Sequence, residues 1–195
     1  MANRCSNLYW ALCPTTEEAN KLCKFLLGWY NTKEGCIDDI MKSIGIDPES
    51  IDNHRDYIDL EPRVQKGTTT VYFGTDSAWT PNPNTWQAIC QKIVPECTLL
   101  YYAEEPGCEI FVSNNPEYYT KYYVDVYCEE ACWNIENGSD IYSEEDVVTL
   151  LQEALSTREK NIDKLLSRAE ETDFGEGNSL TIEPIIYMSL NEWDS

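Results

Sequence analysis

Asn7-Leu-Tyr-Trp-Ala-Leu12, followed directly by Cys13-Pro-Thr-Thr-Glu-Glu18, sets a strand, a stop and a helix start in immediate succession. The first segment is short, apolar and partly aromatic, and Cys13-Pro14 ends it, which is the pattern of a strand running into a turn. Thr15 and Glu18 then form a capping box, the hydroxyl serving a free amide of the first turn and the carboxylate reaching back. Ala19, Leu22, Cys23, Leu26 and Leu27 recur at helical spacing and predict an amphipathic helix from about residue 15 to about 31. The chain therefore opens β then α.

Working outward, residues 36 to 64 mix short apolar stretches with Asp, Pro and Asn, and support only a brief helix over Ile37 to Ile44. Thr68 to Phe73 is β-branched and aromatic, a strand ended by Gly74-Thr75-Asp76. Trp86, Ile89, Cys90 and Ile93 share one face of a helix over 85–94, entered through the proline-fixed loop Thr80-Pro-Asn-Pro-Asn84. Strands are expected at Thr98 to Ala103, Glu109 to Ser113 and Tyr122 to Cys128. The order β-α-β-α-β-β-β predicts an α+β sandwich, a mixed or antiparallel sheet with helices on one face.

The last third changes character. Ser143 precedes Glu144, Glu145 and Asp146, a capping serine with three carboxylates at the positive end of a helix dipole. Val147, Val148, Leu151, Leu155, Ile162, Leu165 and Leu166 follow at three- or four-residue spacing, so a helix over about 143–170 is either continuous or broken near Ser156-Thr157. Ser179 to Leu190 reads as a last strand, confined by Pro184 to an edge or a bulge. The expected division is a domain over 1–133 and an extension over 134–195 packed on it. The apolar positions of the long helix nearly follow a heptad, which suits a homodimer through that helix.

Composition narrows the function. The 195 residues hold 14 Lys and Arg against 35 Asp and Glu, a net charge of −21. That balance disfavours direct binding to nucleic acid or to an anionic membrane, since phosphate neutralisation needs clustered bases. No run approaches the roughly 18 apolar residues of a membrane span, and the first residues lack the pattern of an export signal, so a cytosolic setting is expected. The nine cysteines are accordingly read as reduced, mostly buried thiols. The closest pair, Cys128 and Cys132, is spaced C-x3-C and could meet in an extended strand, but no second pair completes a zinc site.

Val71-Tyr-Phe-Gly-Thr-Asp-Ser-Ala-Trp79-Thr-Pro81, then Trp86, Ile93-Val-Pro95 and Leu100-Tyr-Tyr-Ala-Glu-Glu-Pro-Gly107-Cys-Glu-Ile-Phe111, resemble the YubB-like ferredoxin-fold domain family. In that family a strand runs into an aromatic Ala-Trp-Ser-Pro turn, and a later strand ends in Tyr, Glu and Gly before an aromatic. Thr80 replaces the usual serine, and the opening Met-Ala-Asn-Arg-Cys-Ser-Asn7 is similar to the family's start. The likeness covers about residues 1 to 130. It implies a ferredoxin-like fold and a phage, plasmid or mobile-element setting in a bacterial host's cytosol, without an established enzymatic activity.

The residues themselves favour no enzyme. The single histidine, His54, lies in the polar stretch Asp52-Asn-His-Arg-Asp56 and reads as a surface or hydrogen-bonding residue. Lys66-Gly67-Thr68-Thr69 has the ingredients of a phosphate loop in the wrong order. Glu104 and Glu105 could act as an acid and base pair, but so many acids make such pairs common by chance. No cofactor or metal is expected.

Eight tyrosines lie between residues 101 and 142, interleaved with carboxylates, which suits protein recognition better than base stacking. A compact chain of this length has a radius of gyration of roughly 16 Å, and duplex DNA spanning its diameter of about 40 Å carries about 24 charges. The net charge is of that order. The expectation is a non-enzymatic inhibitor of the anti-CRISPR or anti-restriction type that mimics nucleic-acid charge on a basic partner such as a CRISPR effector or nuclease. Its expected contact residues are Glu104, Glu105, Glu109, Tyr118, Tyr119, Glu129, Glu130, Glu144, Glu145 and Asp146. The alternatives are an interaction module without inhibitory activity and an enzyme with a carboxylate-based site.

Overall fold

The computed structural model describes residues 3–30, 32, 35–50, 54–129, 133 and 137–193. β1 (Arg4–Leu12) alternates buried and outward side chains, and the capping box starts α1 (Thr16–Tyr30). There Thr15 Oγ1 accepts from the Glu18 backbone N–H at 3.2 Å and donates to Glu18 Oε2 at 2.9 Å. Next come α2 (Ile37–Ser43), β2 (Asp56–Val64), β3 (Thr70–Ala78), α3 (Pro83–Ile93), β4 (Thr98–Glu105) and β5 (Ile110–Ser113). The chain continues through β6 (Lys121–Cys128), β7 (Gly138–Ser143), α4 (Glu144–Ala154), α5 (Ile162–Glu170), β8 (Asn178–Pro184) and β9 (Ile186–Tyr187). The architecture is α+β with two sheets, ordered β2-β3-β1-β4-β5-β9 and β7-β6-β8. β1 lies between β3 and β4 and is antiparallel to both, while β2 is antiparallel to β3 and β5 to β4.

Two expectations fail in the first sheet. Residues 56–64 form a strand where only broken structure was foreseen, because Pro62 sits on the edge strand and the register shifts twice between Ile58 and Arg63, which masks the alternation. Gly74 does not end β3. A Cβ there would lie 2.9 Å from Leu60 Cβ and 3.1 Å from the Asn7 carbonyl oxygen, so the glycine marks a close approach of the bulged β2 within a strand that runs on to Ala78.

The chain forms two compact units, residues 1–117 with 187–195, and residues 118–186. The boundary thus falls before β6, not after Trp133. Unit 1 buries Cys5, Tyr9 and Ala11 of β1 and Val71 and Phe73 of β3 against Leu22 and Leu26 of α1, Ile40 of α2 and Trp86 and Ile89 of α3. Unit 2 has its own core, in which Val124 and Val126 of β6 pack with Val147, Leu150 and Leu151 of α4, with Leu155 and with Leu165 of α5. Tyr122 to Cys128, read as part of the first sheet, is therefore the central strand of the second.

The long C-terminal helix is two helices, broken around Ser156, whose φ is +48°. The heptad-like positions at Val147, Leu151, Leu155 and Leu165 are buried within unit 2. The expected last strand also divides, β8 joining the second sheet as an edge strand that ends at Pro184 and β9 joining the first. Cys5, Cys13, Cys23, Cys90 and Cys97 are buried free thiols, as foreseen, while Cys36 is half-buried and Cys108 exposed. The expectation of reduced thiols is corrected at Cys128, which is disulfide-bonded at the end of β6. Cys132 lies outside the described residues.

Candidate protein-binding surface

The ten residues singled out from the sequence divide between the units. In unit 1, Glu104 and Glu105 are successive residues of β4 and so face opposite sides of the sheet. Glu104 is half-buried and accepts from the Tyr102 hydroxyl at 2.6 Å. Glu105 is buried and accepts from the Gly107 backbone N–H at 2.9 Å, capping the short turn over Pro106–Cys108. The two carboxylates do not converge as an acid and base pair would. Glu109 follows in an exposed left-handed conformation, φ +55°.

In unit 2, Tyr118 lies half-buried beneath Lys121, whose Nζ is 5.2 Å from the ring centroid, and Tyr119 is exposed. Glu129 is exposed beyond the end of β6, and Glu130 lies outside the described residues. Glu144, Glu145 and Asp146 make the exposed first turn of α4. Ser143 Oγ accepts from the Asp146 backbone N–H at 3.2 Å and donates to Asp146 Oδ2 at 2.6 Å. Asp146 is thus a capping group, whereas Glu144 and Glu145 project from the same dipole end. The tyrosines sort by position: Tyr101, Tyr102 and Tyr123 are buried, Tyr122 and Tyr142 half-buried, and Tyr119 and Tyr127 exposed.

Sequence reasoning missed a polar network in unit 1. Asp56, at the start of β2, is fully buried, and its Oδ2 accepts from Trp86 Nε1 and from Asn82 Nδ2, each at 2.9 Å. Burial raises this carboxyl to about 6, against hydrogen bonds from Asn82, Thr75 and Trp86 that favour the charged form. Nearby, the Tyr9 hydroxyl is pushed well above its ordinary value, by burial first and then by the Asp56 charge. Asn7 Nδ2 reaches Thr75 Oγ1 at 3.2 Å and Ser77 Oγ at 3.0 Å, and Ser77 Oγ donates to the Thr80 carbonyl at 2.8 Å. These bonds tie the 79–82 loop to the sheet. They hold Trp79, 47% exposed, at a φ of +70°, a conformation costly for a bulky side chain.

The outward face of the same sheet carries a second cluster. Arg4 pairs with Asp76 and with Asp59, the latter at 3.2 Å, and burial together with the Asp76 charge raises the Asp59 carboxyl while Arg4 lowers it. Further along, Trp10 and Tyr72 have ring centroids 5.5 Å apart, and the Arg63 guanidinium sits 5.0 Å over Tyr72. The only signal for Asp56 and Asp59 was the alternation Asp56-Tyr-Ile-Asp-Leu60, which Pro62 concealed. His54 is a hydrogen-bonding surface residue, its Nδ1 2.9 Å from Asp38 Oδ1. No group of three or more His, Cys, Asp or Glu among the described residues is placed to hold a metal ion. No helix among them is long and apolar enough to cross a membrane.

Compared with known proteins, the chain matches no family model, no curated protein and no solved structure.

Proposed function

We propose that the protein is a non-enzymatic, acidic protein of a phage or other mobile element, and that it binds and inhibits a basic, nucleic-acid-binding defence protein in the bacterial cytosol by presenting charge at nucleic-acid density. The observation that carries this reading is that both units are acidic, with net charges of −10 for unit 1 and −11 for unit 2, the latter carried on about half as many residues. Unit 2 holds 16 Asp and Glu against 5 Lys and Arg, and unit 1 holds 19 against 9. A compact body of unit 2's length has a radius of gyration of roughly 11 Å, and duplex DNA along its diameter of roughly 28 Å carries about 16 charges. Among the described residues, Asp38, Asp59, Asp76 and Glu159 make ion pairs.

The order β1-α1-α2-β2-β3-α3-β4, in which the short α2 is an addition, with strands arranged β2-β3-β1-β4 and antiparallel neighbours, supports a ferredoxin-like arrangement for the first part of the chain. The residues that resemble the YubB-like family fall on β3, the 79–82 loop, α3, β4 and β5 of that arrangement. The exposed contact residues are Glu109, Tyr119, Glu129, Glu144 and Glu145.

The test is capture of partners by the tagged full chain from a bacterial lysate at about 0.05 M salt, release at about 0.5 M, and assay of the released protein for DNA or RNA binding with and without added chain. The expected result is a basic protein whose nucleic-acid binding the chain competes away, and whose capture falls when Glu129, Glu144 and Glu145 are reversed to Lys in a variant that still folds. Capture of nothing, or of a partner that keeps its nucleic acid in the presence of the chain, overturns the reading.

A further inference from the structure

A groove on the outer side of α1 has no role in the charge surface. Lys21, Lys24, Phe25, Gly28 and Trp29 of α1, with Thr32 beyond its end and Ile93 at the end of α3, line an open groove of about 590 Å³. Positions 21, 24, 25, 28 and 29 share one helical face, a second stripe beside the buried Ala19, Leu22, Cys23 and Leu26. The walls are apolar and the rim is cationic, in a chain with only 14 basic residues. Lys21 Nζ donates to the Ile93 carbonyl oxygen at 2.8 Å, which anchors one ammonium at the carboxyl end of α3. An ammonium has three donors, so two of Lys21 remain for a ligand, beside those of the exposed Lys24.

Gly28 is the observation that points to an occupant. Glycine within a helix weakens it relative to alanine, and among the described residues no neighbour requires its absence of side chain. A Cβ at this position would meet nothing within 4 Å among the described residues, and the backbone has no positive φ. What the missing side chain does achieve is an open floor to the groove. Glu17 and Glu18 stand one turn from Lys21 on the same helix, but no carboxylate among the described residues lines the groove itself, and the field of those beyond about 8 Å is screened at physiological ionic strength.

The geometry points to this groove as a binding site for an amphipathic monocarboxylate, with the apolar chain along Phe25, Gly28 and Trp29 and the head group on Lys24 and Lys21. The test is titration of the isotopically labelled full chain with decanoate and, separately, with decanol, followed by amide chemical shifts. The expected result is saturable shifts on the 21–32 segment and around Ile93 with decanoate, and binding of decanol weaker by about tenfold, the loss of one charge-assisted hydrogen bond. Lys24→Glu weakens decanoate by a similar factor. Gly28→Leu abolishes binding while raising the thermal unfolding midpoint, an outcome that a purely structural glycine would not produce. Absence of saturable shifts, equal affinity for decanol, or wild-type binding by Lys24→Glu or Gly28→Leu overturns the assignment.

Discussion

Replacing Asp56 by Asn tests whether the network behind the 79–82 loop carries a buried charge at neutral pH. In the folded protein burial raises this carboxyl to about 6 from an ordinary 3.8. A carboxyl raised on folding binds its proton more tightly in the native state, so its contribution is fully present below the unfolded value and is lost as pH climbs through the folded one. At 1.36 kcal/mol per pKa unit, the loss between pH 4 and pH 7.5 is roughly 2 to 3 kcal/mol. In Asp56→Asn the new side-chain carbonyl can still accept from Trp86 and Asn82, and no ionisation remains. Hydrogen exchange of β1 and β3 amides over that range reports unit 1 apart from unit 2. The stability of Asp56→Asn relative to the wild type should rise by roughly 2 to 3 kcal/mol across the window. A difference that stays flat within about 0.5 kcal/mol would refute the assignment of a strained, ionisable Asp56.

Gly74→Val places carbon atoms where even a Cβ lies 2.9 Å from Leu60 Cβ and 3.1 Å from a backbone oxygen, and should cost about 1 to 3 kcal/mol in denaturant unfolding. Wild-type stability in that variant would mean that β2 does not bulge against β3 as described. Cys108, an exposed free thiol, should be alkylated before the other free thiols of the native protein, since burial holds Cys5 and Cys13 up at about 12, Cys90 is pushed well above its ordinary value by a side-chain hydrogen bond with Cys97 together with burial, and Cys97, lowered by that hydrogen bond, is itself buried. Mass spectrometry that finds Cys5 or Cys90 modified at a comparable rate contradicts the burial of those thiols.

Local signals were legible wherever backbone chemistry and periodicity agreed. Thr15 with Glu18 and Ser143 with Asp146 announced α1 and α4 because a cap is a matter of residues three apart. The edge position of the strand containing Pro184 followed from the same kind of rule, whereas the sequence left open whether the helix runs through Ser156 or breaks there. What failed was long-range. β2 was hidden because its bulges and Pro62 make sense only beside β3, and Gly74 looked like a turn because its reason is Leu60 across the ladder. Nothing in Tyr122 to Cys128 says which sheet it enters, since an alternating strand serves either until β7 and β8 pair with it. The candidate surface was legible as charge but not as geometry. Burial of Glu105 depends on neighbours that a count of acids cannot weigh.

Charge and burial act on stability in separable ways, and the separation bears on the proposed function. Thirty-five acids against 14 bases make each folded unit repel itself, a term that acts through solvent and weakens as salt shortens the screening length from about 30 Å at 0.01 M to about 3 Å at 1 M. Asp56 acts inside the protein, where salt reaches it far less. Raising salt at pH 7.5 should therefore stabilise the wild type and Asp56→Asn by the same increment, leaving their difference unchanged. At pH 4, where most surface carboxylates are partly protonated, the increment should shrink. A salt increment as large at pH 4 as at pH 7.5 would mean that exposed carboxylates are not its source. The surface field would then be too weak to compete with nucleic acid for a basic partner.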